Sequence, residues 1–155
     1  MSDIPRRTFV TLAAGVAACA CLPSCGHVEH PNRAHGPVDV GPLTRYRPRD
    51  GILVTDHWAE SGGFLLVQTV SRLYAVSSEC THRGCTVETA APKNGLRCPC
   101  HGSEYAVDGR VTKGPASKTL PRFAISVDPT GRVVVDAARS FSEAEWSNPA
   151  SFVAL

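Results

Sequence analysis

Cys80-Thr81-His82-Arg83-Gly84-Cys85 and, after a gap of twelve residues, Cys98-Pro99-Cys100-His101-Gly102-Ser103 decide how this 155-residue chain folds. The two segments hold four of its seven cysteines and two of its six histidines. Each offers one Cys-His pair close enough to chelate, at i and i+2 in the first and at i and i+3 in the second. Two such loops make one metal site with two sulfur and two nitrogen donors.

A Cys2His2 set admits tetrahedral zinc, or a 2Fe-2S cluster in which two histidines replace two cysteines on one iron. Zinc would be complete with Cys80, His82, Cys98 and His101, leaving Cys85 and Cys100 without a role at matching places in the two loops. The double box resembles the Rieske iron-sulfur proteins, in the disulfide-bearing, high-potential branch typical of cytochrome bc complexes. Ferredoxins of the ring-hydroxylating dioxygenases lack the second cysteine pair. The resemblance implies one 2Fe-2S cluster, with Cys80 and Cys98 as thiolate ligands of the buried iron, His82 and His101 on the outer iron, and a disulfide joining Cys85 to Cys100. A zinc clip stapling a small binding module is the other reading of the same donors.

Each ligand type has a physical reason. Anionic thiolates stabilise ferric iron, whereas neutral imidazoles remove negative charge from the cluster and raise its potential. An imidazole bound through one nitrogen keeps the other as a titratable N–H, so electron uptake at such a site can be accompanied by proton uptake at His82 or His101. A hydroxyl donated to a cluster sulfur stabilises the reduced, electron-rich state. The resemblance assigns that role to Ser103 and Tyr105 and implies a potential of about +150 to +300 mV. A turn serine and a packed tyrosine are the plainer readings of these two.

Gly114-Pro115-Ala116 resembles the start of the proline loop that covers the cluster's third side in the same branch, although Ser117 stands where a further proline is usual. Arg83 replaces the apolar residue, commonly leucine, of the first box. A guanidinium is ill suited to an apolar quinone pocket and suits an acidic or anionic partner; a solvated surface arginine is the alternative.

Around the boxes, short runs rich in Val, Ile, Leu and aromatics predict strands at Ile52-Thr55, Phe64-Thr69, Leu73-Ser77, Leu96-Cys98, Phe123-Val127 and Arg132-Asp136. Ser61-Gly62-Gly63, Lys93-Asn94-Gly95, Asp108-Gly109 and Asp128-Pro129-Thr130-Gly131 read as the turns between them. No long amphipathic helix is visible between Leu43 and Ala137. The fold class is all-β: an antiparallel sandwich or partial barrel over residues 43–137, with a cluster-binding loop subdomain. His57 and Trp58 read as packing residues. Within the tail, residues 138–155, Ser142-Glu143-Ala144-Glu145 forms a capping box for one short helical turn, stopped near Asn148-Pro149 and packed on the domain.

The N-terminus carries an address. Arg6-Arg7-Thr8-Phe9-Val10, followed by the uncharged apolar stretch from Val10 to Leu22, resembles a twin-arginine signal over residues 1–24, the export route for proteins already folded around a cofactor. That stretch is shorter than the ~20 residues that span a bilayer, and a retained signal helix is the alternative. Leu22-Pro23-Ser24-Cys25 resembles a lipobox, making Cys25 a lipidation candidate, with Cys19 a second. Ala18-Cys19-Ala20 also suits ordinary signal peptidase. The membrane is then reached by a lipid tether or an N-terminal segment, with the domain on the periplasmic, extracytoplasmic side. Residues 25–42, rich in Pro, Gly and His, predict a flexible linker in which His27, His30 and His35 are solvated.

Charge says little about partners. Without residues 1–24, which hold Arg6, Arg7 and Asp3, 14 basic residues face 13 acidic ones. There is no basic run or stacking platform for nucleic acid, no phosphate loop and no hydrolytic triad. The reading is an exported one-electron carrier serving redox protein partners, a cytochrome or a periplasmic oxidoreductase. Its alternative is the iron-sulfur subunit of a quinol-oxidising cytochrome bc complex.

Overall fold

Alternation of apolar side chains along two adjacent strands organises the domain. The computed structural model describes residues 36–47, 50–90 and 95–155. Its strands, in chain order, are β1 (Val38–Pro42), β2 (Leu53–Thr55), β3 (Phe64–Gln68), β4 (Arg72–Ser77), β5 (Glu88–Ala90), β6 (Gly95–Arg97), β7 (Glu104–Ala106), β8 (Val111–Lys113), β9 (Arg122–Val127), β10 (Arg132–Phe141) and β11 (Val153–Ala154). A strand sends successive side chains to opposite faces. Phe64, Leu66, Leu73 and Ala75 therefore enter one core with Val40, Ile125, Val133 and Val135. Leu65, Val67, Tyr74 and Val76 enter another with Val87, Leu96, Tyr105, Leu120 and the two cysteines Cys80 and Cys98. All five residues of β3 are buried, so this strand is sandwiched between the two cores.

The larger sheet is antiparallel, curled into a partial barrel, and runs in the order β1-β10-β9-β4-β3-β2, with β11 paired to β4. The smaller sheet runs β5-β6-β7-β8. The first box lies between β4 of the larger sheet and β5 of the smaller, and the second between β6 and β7 of the smaller, so both loops lead into strands of the smaller sheet. Burying each large apolar side chain of this shared core contributes about 1.5–3 kcal/mol. Cys80 and Cys98, the first residues of the two boxes, are themselves part of this core.

The six expected strands form, several with shifted ends, and β10 runs five residues beyond the Asp136 end expected for it. β5, β7, β8 and β11 also form, three of them only three residues long and carrying too few apolar positions to show a period. The expected linker is corrected at its end. Val38–Pro42 is an edge strand against β10, with Val40 buried and a bulge between Asp39 and Gly41. Pro42 and Gly41 read as spacer composition, yet an edge strand tolerates both because its outer N–H groups need no partner. The rest of that linker up to Ala34-His35, the signal segment with Cys19 and Cys25, and Lys93 and Asn94 of one expected turn lie outside the described residues.

The tail is part of the domain. Ser142 and Glu145 form the expected capping box on a turn of 3-10 helix, Glu143–Glu145. Val153 then pairs with Leu73. Trp58 stacks on Phe64 at 5.9 Å with His57 edge-on to it at 5.0 Å, the packing role expected of both. Among the described residues no helix is long and apolar enough to cross a membrane.

Candidate metal centre

The two boxes fold into the same loop twice. In the first, Cys80 N–H donates to Cys85 O at 2.9 Å and Gly84 N–H donates to Cys80 O at 2.8 Å. In the second, Cys98 N–H donates to Ser103 O at 2.8 Å and Gly102 N–H donates to Cys98 O at 3.0 Å. The glycine four residues after each cysteine takes a positive φ, 80° at Gly84 and 74° at Gly102. A side chain there is disfavoured, and glycine adopts the turn freely. The root of the first loop is fixed by Ser78, whose N–H donates to Gly63 O at 2.9 Å and whose hydroxyl donates to Ala59 O at 2.6 Å.

This repetition sets the two cysteines and the two histidines at equivalent places in the paired loops. Cys80 and Cys98 are free thiols, 3% and 1% exposed. The rings of His82 and His101 meet edge to face at 4.8 Å. His101 is exposed; His82 is half-buried, and its Nδ1 is buried without a hydrogen-bond partner. Cys85 and Cys100 are joined in a disulfide between the loops. The sulfurs of Cys85, Cys98 and Cys100 lie within 4.8 Å of one another, but two of them are spent on that bond, so this triplet is not a ligand set.

A ring of hydroxyls backs the thiols. Tyr105, 1% exposed, has its hydroxyl 3.3 Å from Cys80 Sγ and 3.2 Å from Thr81 Oγ1. Burial first, and then its bond to Cys80, pushes the Tyr105 hydroxyl up to about 12, so it remains a neutral donor at physiological pH. Burial works to raise the Cys80 thiol. The Tyr105 hydroxyl, the amides of His82 and Arg83, and Cys98 together outweigh it and hold the thiol below its ordinary value. Cys98 is pushed up, by burial and then by Cys80, against the amides of Cys100 and His101.

A third loop joins the first two. Gly114-Pro115 is a cis peptide, and Ala116 N–H donates to the fully buried Ser103 Oγ at 3.0 Å. Thr81 Oγ1 donates to Lys118 O at 2.6 Å. The segment from Gly114 to Leu120 is thus pinned to one residue of each box. Residues 45–124 match the Rieske 2Fe-2S domain. The chain belongs to the Rieske 2Fe-2S domain family.

Curated relatives match part of the chain. The cytochrome b6-f complex iron-sulfur subunit of Synechococcus sp. (strain JA-3-3Ab) is 46% identical over 55 residues, 36% of this chain and 32% of that protein. The chloroplastic cytochrome b6-f complex iron-sulfur subunit of Arabidopsis thaliana is 38% identical over 73 residues, 46% of this chain and 32% of that protein. The matches span about a third of the length of these relatives. Among solved structures, the cyanobacterial plasma membrane Rieske protein from Synechocystis PCC 6803 is 30% identical, covering 64% of this chain and 99% of that one with a TM-score of 0.42.

A Rieske domain binds one 2Fe-2S cluster, and the donors here fit it. Two buried free thiols can supply anionic sulfur, and the His82 Nδ1, buried without a hydrogen-bond partner, is an imidazole donor left open for a metal. The Cys85–Cys100 disulfide fits the high-potential type. All six expected side chains of Cys80, His82, Cys98, His101, Ser103 and Tyr105 lie in these two loops and the strand that follows them. Sequence reasoning missed Thr81 and the Lys118 carbonyl, because a threonine inside a box and a backbone oxygen carry no chemical signal in the sequence.

Proposed function

We propose that this protein is an exported one-electron carrier, tethered to the membrane or periplasmic, passing electrons between redox protein partners through a high-potential Rieske cluster. Cys80 and Cys98 hold the inner iron, and His82 and His101 the outer. The observation that carries this reading is the asymmetry of the donor set: both thiols are buried, while His101, next to the disulfide-bonded Cys100, is exposed. When bound, the cluster takes up and returns a single electron. The protein's own residues hold the thiols dry, donate hydrogen bonds to sulfur from Tyr105, and present imidazole edges to a partner.

A second reading rests on the relatives, which are subunits of cytochrome b6-f complexes. On it the chain serves a quinol-oxidising cytochrome bc complex. Arg83, exposed beside His82, supports the first reading over this one, since a guanidinium lines an apolar quinone pocket poorly. A zinc-stapled module is the remote third.

The deciding experiment is low-temperature electron paramagnetic resonance of the exported protein after mild ascorbate reduction, with iron and zinc quantified on the same sample. A rhombic Rieske signal and about two irons per chain are expected. Stoichiometric zinc without a signal would sink the carrier. Replacing Arg6 and Arg7 by Lys should retain the loaded protein in the cytoplasm, and unchanged export would remove the twin-arginine assignment. Copurification with cytochrome subunits, or quinol oxidation abolished by a quinol-site inhibitor, would favour the second reading.

A further inference from the structure

Three short polar contacts run in a chain from the Lys118 carbonyl through Thr81 and Tyr105 to Cys80, and counting hydrogens assigns their direction. The Lys118 carbonyl, 2.6 Å from Thr81 Oγ1, can only accept, so it takes the single hydroxyl hydrogen of Thr81. Thr81 Oγ1 then has only lone pairs to offer Tyr105, 3.2 Å away. Tyr105 also has one hydrogen, and its other neighbour, Cys80 Sγ at 3.3 Å, accepts when it is a thiolate ligand. Two acceptors therefore compete for one donor, and Tyr105 and Cys80, 1% and 3% exposed, leave no room for water as a third partner of that hydroxyl, although Thr81 itself is half-buried. Donation to Lys118 makes the Thr81 oxygen a stronger acceptor, because hydrogen bonds in a chain polarise one another.

We propose that Thr81 is a positioning residue whose hydroxyl sets how far Tyr105 donates to the Cys80 sulfur, and so tunes the potential of the site downward from the value Tyr105 alone would give. The inference rests on the cluster reading above. It also links the third loop to the cluster: the Lys118 carbonyl that pins this loop is the group that claims the Thr81 hydrogen. If the Lys118 carbonyl moves away, the Thr81 hydrogen is freed to turn toward Tyr105, and Tyr105 is released to the sulfur.

The test is a redox titration of the full, cluster-loaded protein followed by its paramagnetic signal. Thr81→Val keeps the branched shape and removes the oxygen; it should shift the midpoint potential upward, whereas Thr81→Ser should leave it in place. Combined with Tyr105→Phe, the valine change should produce no shift, since there is then no hydrogen to redistribute. A merely structural role for Thr81 would move the potential in both backgrounds. A downward or absent shift in Thr81→Val overturns the proposal, as does one that persists beside Tyr105→Phe. Thr81→Ala serves as the second variant. If both lose the cluster while Thr81→Ser retains it, the hydroxyl is only a staple and the tuning role is wrong. An unmodified protein without a Rieske signal would fail the cluster reading itself, before any variant is compared.

Discussion

The Tyr105 hydroxyl and the Ser103 hydroxyl are buried donors with one hydrogen each. Ser103 Oγ already accepts from Ala116 N–H at 3.0 Å, which leaves its hydrogen for donation. A hydrogen bond to a charged acceptor contributes about 1.5–3 kcal/mol. Only the share that grows on reduction counts, and roughly 1 kcal/mol corresponds to ~40 mV for one electron. Ser103→Ala and Tyr105→Phe should each keep the cluster and lower the midpoint potential by on the order of tens of millivolts. Unaltered potentials in both variants would remove hydroxyl tuning from the account. On the proposed ligand set, replacing Cys80, His82, Cys98 or His101 should instead abolish the signal.

At the scale of elements, the two boxes are held by a clasp and by a ladder. The Cys85–Cys100 bond closes a loop with a sequence separation of 15 residues. Closing a loop of that length stabilises by about 3 kcal/mol in the chain-entropy view. Replacing both cysteines by Ala should speed iron loss to a chelator by tenfold or more, about 1.4 kcal/mol of that stabilisation; iron retention equal to the parent's would argue against the clasp. The ladder is electrostatic. In the smaller sheet Glu88 stands opposite Arg97, Arg97 opposite Glu104, and Glu104 opposite Lys113, a row of alternating charge across four strands. Lys113 Nζ reaches Glu104 Oε1 at 3.2 Å. These groups are largely exposed, so each pair contributes only about 0.2–1 kcal/mol. Arg97→Glu would align three carboxylates; a lower melting temperature that recovers in high salt is expected, and a salt-independent loss would point to packing instead.

Across the whole molecule, the C-terminal segment closes the joint between the two sheets. The Arg122 guanidinium, from β9, lies 4.0 Å from the Tyr74 ring centroid and 4.2 Å from that of Trp146. Burial holds its pKa below the ordinary arginine value. Arg110 covers Trp146 at 5.2 Å and pairs with Asp108 and Glu143. Removing Trp146 would bare a buried cation as well as open a cavity, so Trp146→Ala should cost about 3–5 kcal/mol in a denaturant titration. A change below ~1 kcal/mol would show that the joint holds without it. Acid should act at this scale too. Asp39 is lowered by the Arg132 guanidinium and the Gly41 amide, Asp128 by the Arg132 amide and Thr130, and Glu145 by Ser142. Folded values below unfolded ones give stability that is present above the ordinary carboxyl range and lost as pH falls through the lowered values. A melting temperature that declines from about pH 4 downward is expected, modestly because all three are exposed; a flat profile would mean that these contacts are fully screened.

Reading the residues in order was enough to recognise the Rieske domain and its two matching boxes, and to place the main strands and the capped turn of the tail. Each depends on residues close together along the chain: a Cys-His pair two or three positions apart, a period-two run, Ser142 and Glu145 three apart. Other features arise only on folding. The Thr81 bond to Lys118 joins residues 37 apart, and its contact with Tyr105 spans 24. Val38–Pro42 became a strand because β10, nearly a hundred residues later, offered it an edge and a core for Val40. Local spacing encodes the two boxes; the hydrogen bonds around Cys80, Ser103 and Tyr105 are made by backbone and side chains that only the folded sheets bring within reach.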